Sequence, residues 1–198
     1  GASAEIMVRD DGHDPLAAPG SGDSYLCLGP GWSTVSNTPF RRHKTWVHEG
    51  GIRTPLIAHW PAGISASETQ CGKQNPTPGH VIDMVPTLLE LAGGRLPKAP
   101  ANSNQPAPPF PGCSLLDAFS GVHSKPTREI WWYHEGNRAL RVGKWKIVAA
   151  QGNPWSLFDL DTDPTETIDL ANQFPAELQS IVKLWKRQEK AILELHRN

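Results

Sequence analysis

The chain has 198 residues, and its 38% hydrophobic and 20% charged content is ordinary for a globular protein that buries a core, which excludes disorder by composition. The formal net charge of -1 argues against a nucleic-acid-binding protein, because such proteins depend on a basic surface. No apolar stretch approaches the roughly 18 residues of a membrane span, and the 3 well-separated cysteines fit neither a disulfide framework nor a zinc site.

The first predicted part of the chain spans residues 1–64. It contains a loop rich in Gly, Ser and Pro over residues 12–36, and it ends with the apolar run Leu56–Trp60. This run has the length of a strand and lies between Pro55 and Pro61, so we expect a strand that is buried on both faces. The pattern therefore favours an α/β sheet.

Basic side chains cluster just before this run, in a loop that ends at Gly50-Gly51. Two consecutive glycines can take positive φ, so we expect a tight reversal of the chain that presents the basic residues to a ligand. Such a loop could hold an anion, but a basic cluster is also typical of a solvated surface, and the local pattern leaves both interpretations open. The cluster comprises Arg41, Arg42, His43, Lys44 and His48, of which we expect His43 to face solvent.

The second predicted part, residues 65–125, is a connector with one helix over residues 80–94. Asp83 is placed to cap its first turn, and Gly93-Gly94 ends it. The apolar residues of this helix share one face; they are Val81, Ile82, Val85, Leu88, Leu89 and Ala92.

The third predicted part, residues 126–198, is a small α+β subdomain. Strands are expected over residues 129–134, 138–142, 145–149 and 155–159, with a two-residue hairpin turn at Gly143-Lys144. A helix is expected from Pro175 onward. Its apolar stripe consists of Leu178, Ile181, Val182, Trp185, Ile192 and Leu195.

Four segments resemble parts of the type I sulfatases, the arylsulfatase family within the alkaline-phosphatase-like superfamily. Residues 37–64, NTPFRRHKTWVHEGGIRTPLIAHWPAGI, resemble the lysine loop, glycine turn and strand of that family. Residues 80–94, HVIDMVPTLLELAGG, resemble the helix of that family. Residues 134–148, HEGNRALRVGKWKIV, resemble its hairpin. Residues 156–171, SLFDLDTDPTETIDLA, resemble its C-terminal signature. The resemblance implies the edge portion of an alkaline-phosphatase-like sheet, followed by an α+β subdomain with an antiparallel sheet and one long helix.

The resemblance also implies site residues. Lys44 falls on the family's lysine, which binds the sulfate group of the substrate, and a fixed ammonium there would stabilise charge on the non-bridging oxygens during ester cleavage. His134 and Arg138 lie at a strand end and a turn, where the C-terminal subdomain of the family often borders the substrate pocket. His48 is a further substrate-binding candidate, although it could simply pack in the turn. The family's scaffold positions fall on Glu49, Gly50, Gly51, Pro55, Trp60 and Pro61.

Three tryptophans in the third part have two interpretations. Trp131, Trp132 and Trp145 could form an aromatic platform for a sugar. Alternation in a two-layer subdomain usually places such rings in the core, so we expect core packing.

Two features of the family are missing from this sequence. Its nucleophile is a formylglycine made in a Cys/Ser-x-Pro/Ala-Ser-Arg motif, and none of Cys27, Cys71 and Cys113 begins such a motif. Residues 124–128, SKPTR, are a near miss that we interpret as a loop. Calcium needs several converging oxygens, so Asp10-Asp11 alone is interpreted as a loop too, and the metal ligands are expected upstream of Gly1.

The sequence thus predicts the C-terminal part of a sulfatase that hydrolyses aryl or carbohydrate sulfate esters, with formylglycine and calcium supplied by a missing N-terminal part of the same protein. The isolated chain is expected to be inactive. The alternative is a non-catalytic module that binds sulfated ligands or a partner chain, and phosphate-ester hydrolysis is a weaker third possibility. The start of the sequence lacks the shape of a signal peptide, so a periplasmic or secreted protein would carry its signal upstream, and the compartment stays open.

Overall fold

The structure, a computed structural model, describes residues 16–18, 21–23, 29–64, 72–95, 112–122 and 128–195. The chain forms two compact units. One unit combines residues 1–54 with residues 128–198, and the other consists of residues 55–127. The predicted division into residues 1–64, 65–125 and 126–198 stays a prediction.

The first unit is built on a four-stranded antiparallel sheet with the strand order β1-β2-β3-β4. Local turns explain this meander, because two-residue hairpin turns need positive φ, which Glu135 and Gly136 adopt between β1 and β2 and Gly143 adopts between β2 and β3. The predicted antiparallel sheet is therefore confirmed. Its strands are β1 (Glu129–His134), β2 (Asn137–Val142), β3 (Trp145–Ala149) and β4 (Ser156–Asp159).

The long helix α5 (Pro175–Leu195) covers one face of the sheet and confirms the predicted C-terminal helix. Ile181 and Trp185 are each only 2% exposed, because they pack against the strands. Trp131 and Trp145 join this cluster from the sheet, as expected for core residues rather than for a sugar platform. The buried centre of the cluster consists of Leu140, Ile147, Leu157, Ile181 and Trp185.

The opposite face of the sheet is covered by the segment that follows Lys44. Val47 is buried, and Ile52 of the one-turn helix α2 (Glu49–Ile52) packs against the same cluster, which also includes Trp132. The buried sheet residues here are Ala139, Val148, Phe158 and Leu160. Because both faces are covered, β3 reads as a nearly continuous apolar run rather than an alternating one.

A short helix, α1 (Gly29–Ser36), lies within residues 12–36, where the sequence predicted only a loop. Pro30 is tolerated in its first turn, where a backbone N–H has no partner in the helix. Ser33 is the buried residue of α1. The Gly, Ser and Pro content of this stretch therefore indicated a loop, although a proline in the first turn is compatible with a helix.

The second unit contains the predicted helix as a 3₁₀ turn, Val81–Asp83, followed by α3 (Met84–Leu91), and a one-turn helix, α4 (Leu116–Phe119). Gly93 follows α3 with φ of 65°, as expected of a helix stop. Asp83 caps the first turn of the predicted helix, as expected, through a capping box with His80 at the start of the 3₁₀ turn. Its carboxylate accepts the backbone N–H groups of His80 and Cys113, at 2.7 and 3.0 Å.

The predicted buried strand Leu56–Trp60 is wrong for this structure. These residues form no strand, and Ile57 is 88% exposed. A buried strand needs neighbouring strands at its edges, and no described residue of the chain pairs with this run. Within the described ranges, no helix is long and apolar enough to cross a membrane.

Candidate functional site

The Lys44 loop, residues 41–48, leads directly into α2, and its backbone is strained on both sides of the exposed Lys44. Arg42 has φ of 73° and Thr45 has φ of 95°, although neither residue is glycine. Positive φ is unfavourable for a β-branched residue such as Thr45, so contacts with the rest of the unit must hold it there. Strain of this kind is often found at functional sites, which draws attention to Lys44.

Gly50 and Gly51 are needed for close packing and not for positive φ, which corrects the sequence-based expectation. Both lie in α2 and neither adopts positive φ. A Cβ atom on Gly50 would overlap the carbonyl oxygens of Arg41 and Arg42, and one on Gly51 would overlap that of Trp46. The absence of two side chains therefore lets the Lys44 loop fold tightly over α2.

Asn137 fastens the Lys44 loop to the sheet. Its side-chain amide donates to the backbone oxygen of Thr45 at 3.1 Å and to that of His134 at 3.0 Å. Its oxygen accepts the backbone N–H of Gln151 at 3.2 Å. Asn137 is 3% exposed, so losing these bonds would leave buried polar groups unpaired. The side chain of Asn137 thus joins Thr45, the neighbour of Lys44, to His134 at the end of β1 and to Gln151 after β3.

A buried ion cluster lies beneath the glycine turn. Lys146 Nζ is 2.8 Å from Glu49 Oε1 and 2.7 Å from Glu166 Oε1, and Lys146 and Glu166 are 0% exposed. The other oxygen of Glu166 accepts the backbone N–H of Glu49 at 2.9 Å. Three separate segments of the sequence therefore meet at the ammonium of Lys146. They are the segment of the lysine loop and glycine turn, the hairpin, and the C-terminal signature.

The cluster holds two carboxylates and one ammonium, so it carries an excess negative charge. Burial raises the pKa of Glu166, and the charge and hydrogen bond of Lys146 act in the opposite direction. Two arginines add positive charge at its edge. Arg53 lies 3.7 Å from Glu49 Oε2, and Arg41 donates to the backbone oxygen of Glu166 at 2.8 Å.

The other acidic residues of the C-terminal signature shape its turns. Asp163 accepts the backbone N–H groups of Thr167 and Ile168 at 2.7 and 2.8 Å, and Asp169 accepts that of Leu157 at 3.1 Å. Burial would raise the pKa of Asp163, but its hydrogen bonds, led by the one from Ile168, hold that pKa below its usual value. The signature is thus a scaffold that carries Glu166 into the cluster.

His43 does not face solvent, so that prediction is wrong. It is 5% exposed, and its ring meets Trp46 edge to face with the centroids 4.6 Å apart. Burial, and to a lesser degree the charge of Arg42, lowers the pKa of His43. The strained loop turns the ring inward, which the basic composition of the segment did not indicate.

His48 is also buried, with 6% exposure. Burial first, and then the positive charges of Lys146, Arg41 and Arg42, lower the pKa of His48 to about 3, so its ring is neutral near pH 7. Its Nδ1 has no hydrogen-bond partner among the described residues. A neutral, buried imidazole can donate or accept one hydrogen bond to a ligand.

The other two predicted substrate-binding residues lie at the β1–β2 hairpin. His134 is exposed, with Nε2 3.8 Å from Glu135 Oε1. Arg138 stacks on Trp155, 4.7 Å from the ring centroid, and donates to the backbone oxygen of Asn153 at 3.2 Å. Asn153 lines one groove together with His48, whereas Arg138 is not part of that lining. The roles of these residues stay predictions.

The described residues do not by themselves form a calcium site or a formylglycine site. They contain no group of three or more His, Cys, Asp or Glu side chains that could hold a metal ion. Cys113 is exposed and is followed by Ser114. Asp10-Asp11, Cys27, Cys71 and residues 124–127 lie outside the described residues.

Sequence reasoning missed Asn137 and the cluster around Lys146. A signal existed for the cluster, because a lysine within the apolar strand WKIVA has to be paired if the strand is buried. No comparable signal marked Asn137, since an asparagine beside a glycine is expected in any hairpin turn.

With this geometry in view, comparison with known proteins shows the family. Residues 41–194 match the family described as N-sulphoglucosamine sulphohydrolase, C-terminal. The match covers the Lys44 loop, the sheet and nearly all of α5. The chain belongs to this family and is a sulfatase-family protein, which confirms the resemblance to the C-terminal portion of the type I sulfatases.

Curated relatives agree with this assignment. An uncharacterized sulfatase of Schizosaccharomyces pombe is 32% identical over 174 residues, which are 84% of this chain and 30% of the relative. Arylsulfatase K of Mus musculus is 30% identical over 150 residues, 67% of this chain and 24% of the relative. The chain thus spans less than a third of the length of these relatives.

Solved structures agree in fold. Ps i-CgsB, solved in complex with k-i-k-neocarrahexaose, aligns with a TM-score of 0.62 and 25% identity over 77% of this chain and 32% of that one. A Bacteroides thetaiotaomicron protein connected with glycosaminoglycan metabolism aligns with a TM-score of 0.54 at 22% identity over 76% of this chain and 32% of that one, a likeness of fold alone.

Proposed function

We propose that this chain is the C-terminal part of an enzyme that hydrolyses aryl or carbohydrate sulfate esters, and that Lys44 binds the sulfate group. The formylglycine nucleophile and the calcium ligands that the family resemblance implies would lie outside the residues given. Lys44 would hold the non-bridging oxygens by charge and hydrogen bonding as the ester bond breaks.

The observation that carries this proposal is the way the Lys44 loop is held. Its strained backbone is fastened by Asn137 through Thr45, and α2 beneath it is fixed by the buried contact of Glu49 with Lys146. Gly50 and Gly51 let the loop pack closely on α2, because a Cβ atom at either position would overlap backbone atoms of the loop. This support fixes the backbone from which the exposed Lys44 side chain extends. A fixed backbone favours a role in transition-state stabilisation over that of a solvated basic surface.

Three further residues would contact the rest of the ester. Arg138 donates to the backbone oxygen of Asn153, which lines a groove together with His48. Asn137 donates to the backbone oxygens of both His134 and Thr45. We propose that they bind the alcohol portion of the substrate, with His48 acting as a neutral hydrogen-bonding group.

Replacement of Lys44 in the complete protein tests the proposal. Lys44→Ala should lower kcat/KM for a sulfate ester by roughly 100- to 1000-fold, as when one oxyanion stabiliser is removed. The matched control is Lys190→Ala, which removes an equal charge from a side chain that is 79% exposed on α5. Turnover by Lys44→Ala equal to that of the control would rule out the role of Lys44.

A second candidate function is a non-catalytic module that binds sulfated ligands or a partner chain. The run Leu56–Trp60 favours it, because it is exposed and has no strand partner within the described part of the chain. Such a segment can add to the sheet of another polypeptide. A complete protein that binds a sulfated carbohydrate through Lys44 without hydrolysing it would support this candidate. Calcium-dependent hydrolysis that is lost in Lys44→Ala would support the enzyme.

A further inference from the structure

A small groove borders the Lys44 loop in the first unit. Arg41, Arg42 and His48 line it from the loop, Asn153 lines it from the connection between β3 and β4, and Ser156 lines it from the start of β4. Its volume of about 130 Å³ is well below the roughly 300 Å³ at which pockets for whole ligands begin, so it fits one substituent rather than a sugar ring.

The groove is positively charged and has no acidic residue in its lining. Glu49 and Glu166 are turned to Lys146 at 2.8 and 2.7 Å. The carboxylate of Asp169 interacts with Arg41 and is bonded to Ser156 and to the backbone N–H of Leu157. The charges of Lys146, Arg41 and Arg42 all act on His48, which lines the groove. A concave surface with one sign of charge concentrates ions of the opposite sign.

Arg42 is held in a conformation that glycine would adopt without strain, with φ of 73°. Its backbone oxygen accepts the side-chain amide of Asn37 at 3.2 Å, and its guanidinium lies 5.1 Å from the Trp46 ring centroid. A large side chain at such a position suggests that the side chain itself is used. The planar stack on Trp46 would also preorganise the guanidinium for a ligand.

Donors remain for an anion in this groove. Arg41 gives one N–H to the backbone oxygen of Glu166 at 2.8 Å, which leaves the other donors of its guanidinium. The buried Nδ1 of His48 has no partner among the described residues. Arg138 fixes the far wall by donating to the backbone oxygen of Asn153.

We infer that the groove of Arg41, Arg42 and His48 binds a second anionic group of the substrate, a sulfate or a carboxylate, separate from the ester that is cleaved. This inference rests on the proposed function and narrows its substrate class to esters that carry at least two negative groups. Lys44 holds the reacting sulfate, and Arg42 selects among esters by the second group.

Three esters of one carbohydrate test the inference in the complete protein. One carries only the cleavable sulfate, one adds a neighbouring sulfate, and one adds a neighbouring carboxylate. The readout is the ratio of kcat/KM between a doubly charged and the singly charged ester. Because both are measured on one preparation, the ratio does not depend on how much of a variant is folded.

The wild type should prefer a doubly charged ester, and which added group is preferred identifies sulfate or carboxylate as the ligand. Arg42→Gly should lower that preference roughly 10- to 100-fold, the effect of one hydrogen bond between charged groups. Glycine suits the backbone at this position, and Arg42→Lys should keep part of the preference. The control Lys190→Ala should leave the ratio unchanged.

Two failures are distinguishable. If Lys44→Ala retains turnover of all three esters, the proposed function is wrong. If Lys44→Ala loses turnover but the wild type shows no preference, or Arg42→Gly keeps it, the groove does not bind a second anion.

Discussion

Two short apolar runs of this chain, β3 (Trp145–Ala149) and Leu56–Trp60, look alike in sequence and differ in structure. Ile147 in β3 is 0% exposed, whereas Ile57 is 88% exposed. β3 has β2 and β4 on its two edges. The other run has no partner among the described strands. An apolar run therefore indicates a tendency to be buried, and the neighbours in space decide whether burial occurs.

The largest effect that would sharpen this comparison concerns the lysine inside β3. Lys146→Met should destabilise the chain by about 3–5 kcal/mol, because it leaves Glu49 and Glu166 buried without a cation. Lys144→Met is the control, since Lys144 lies in the adjoining turn and its side chain is 47% exposed. The Lys144→Met variant should lower the free energy of unfolding by less than about 1 kcal/mol. Urea unfolding of both variants measures the difference, and equal losses would contradict the importance of burial.

A second test uses pH. Burial lowers the pKa of His48 to about 3, whereas an unfolded histidine titrates near 6.5. Between these values the unfolded chain binds the extra proton, so the contribution of His48 to stability is complete above pH 6.5 and is lost as the pH falls toward 3. The loss approaches roughly 1.4 kcal/mol per pH unit.

The free energy of unfolding of the wild type and of His48→Gln, measured from pH 7 to pH 4, isolates this contribution as the difference between two curves. His59→Gln, in the exposed run, is the matched control. Parallel curves for the wild type and His48→Gln would show that the burial of His48 has no such consequence.

The smallest expected effect concerns the exposed run itself. Ile57→Ser should change the stability of this 198-residue chain by less than about 0.5 kcal/mol, as is usual for surface substitutions. Ile147→Ala in β3 should lower the free energy of unfolding by about 2–5 kcal/mol. If the run pairs with strands of a longer protein, Ile57→Ser should destabilise that protein strongly. A large loss already in this chain would break the comparison.

Local patterns predicted the C-terminal sheet and α5 well. The strands found at Glu129–His134 and Trp145–Ala149 match the expected ranges, because hairpins depend on turn residues and on neighbours close in sequence. The helix begins at the predicted Pro175. Contacts between residues that are close in sequence can be predicted from local sequence patterns.

The candidate site was harder to predict. Its lysine was found by resemblance, but His43 was expected in solvent, and Gly50 was expected to take positive φ. Both errors arise because contacts across the loop, with Trp46 and with the carbonyl oxygens of Arg41 and Arg42, determine these positions. Spacing along the chain carries no information about such contacts.

The bonds from Glu166 to the Lys44 loop have a consequence for synthesis on the ribosome. Arg41 and Glu49 bind a residue that follows them by 125 and 117 positions. At ~5–20 residues per second, the nascent loop waits on the order of ten seconds before Glu166 has been translated. Until then Arg42 and Thr45 have only part of their support, because Asn137 already binds Thr45 but Glu166 is absent. A frameshift or nonsense codon between β3 and Glu166 would release a product that contains Lys44 but lacks the bonds of Glu166 to Arg41 and Glu49.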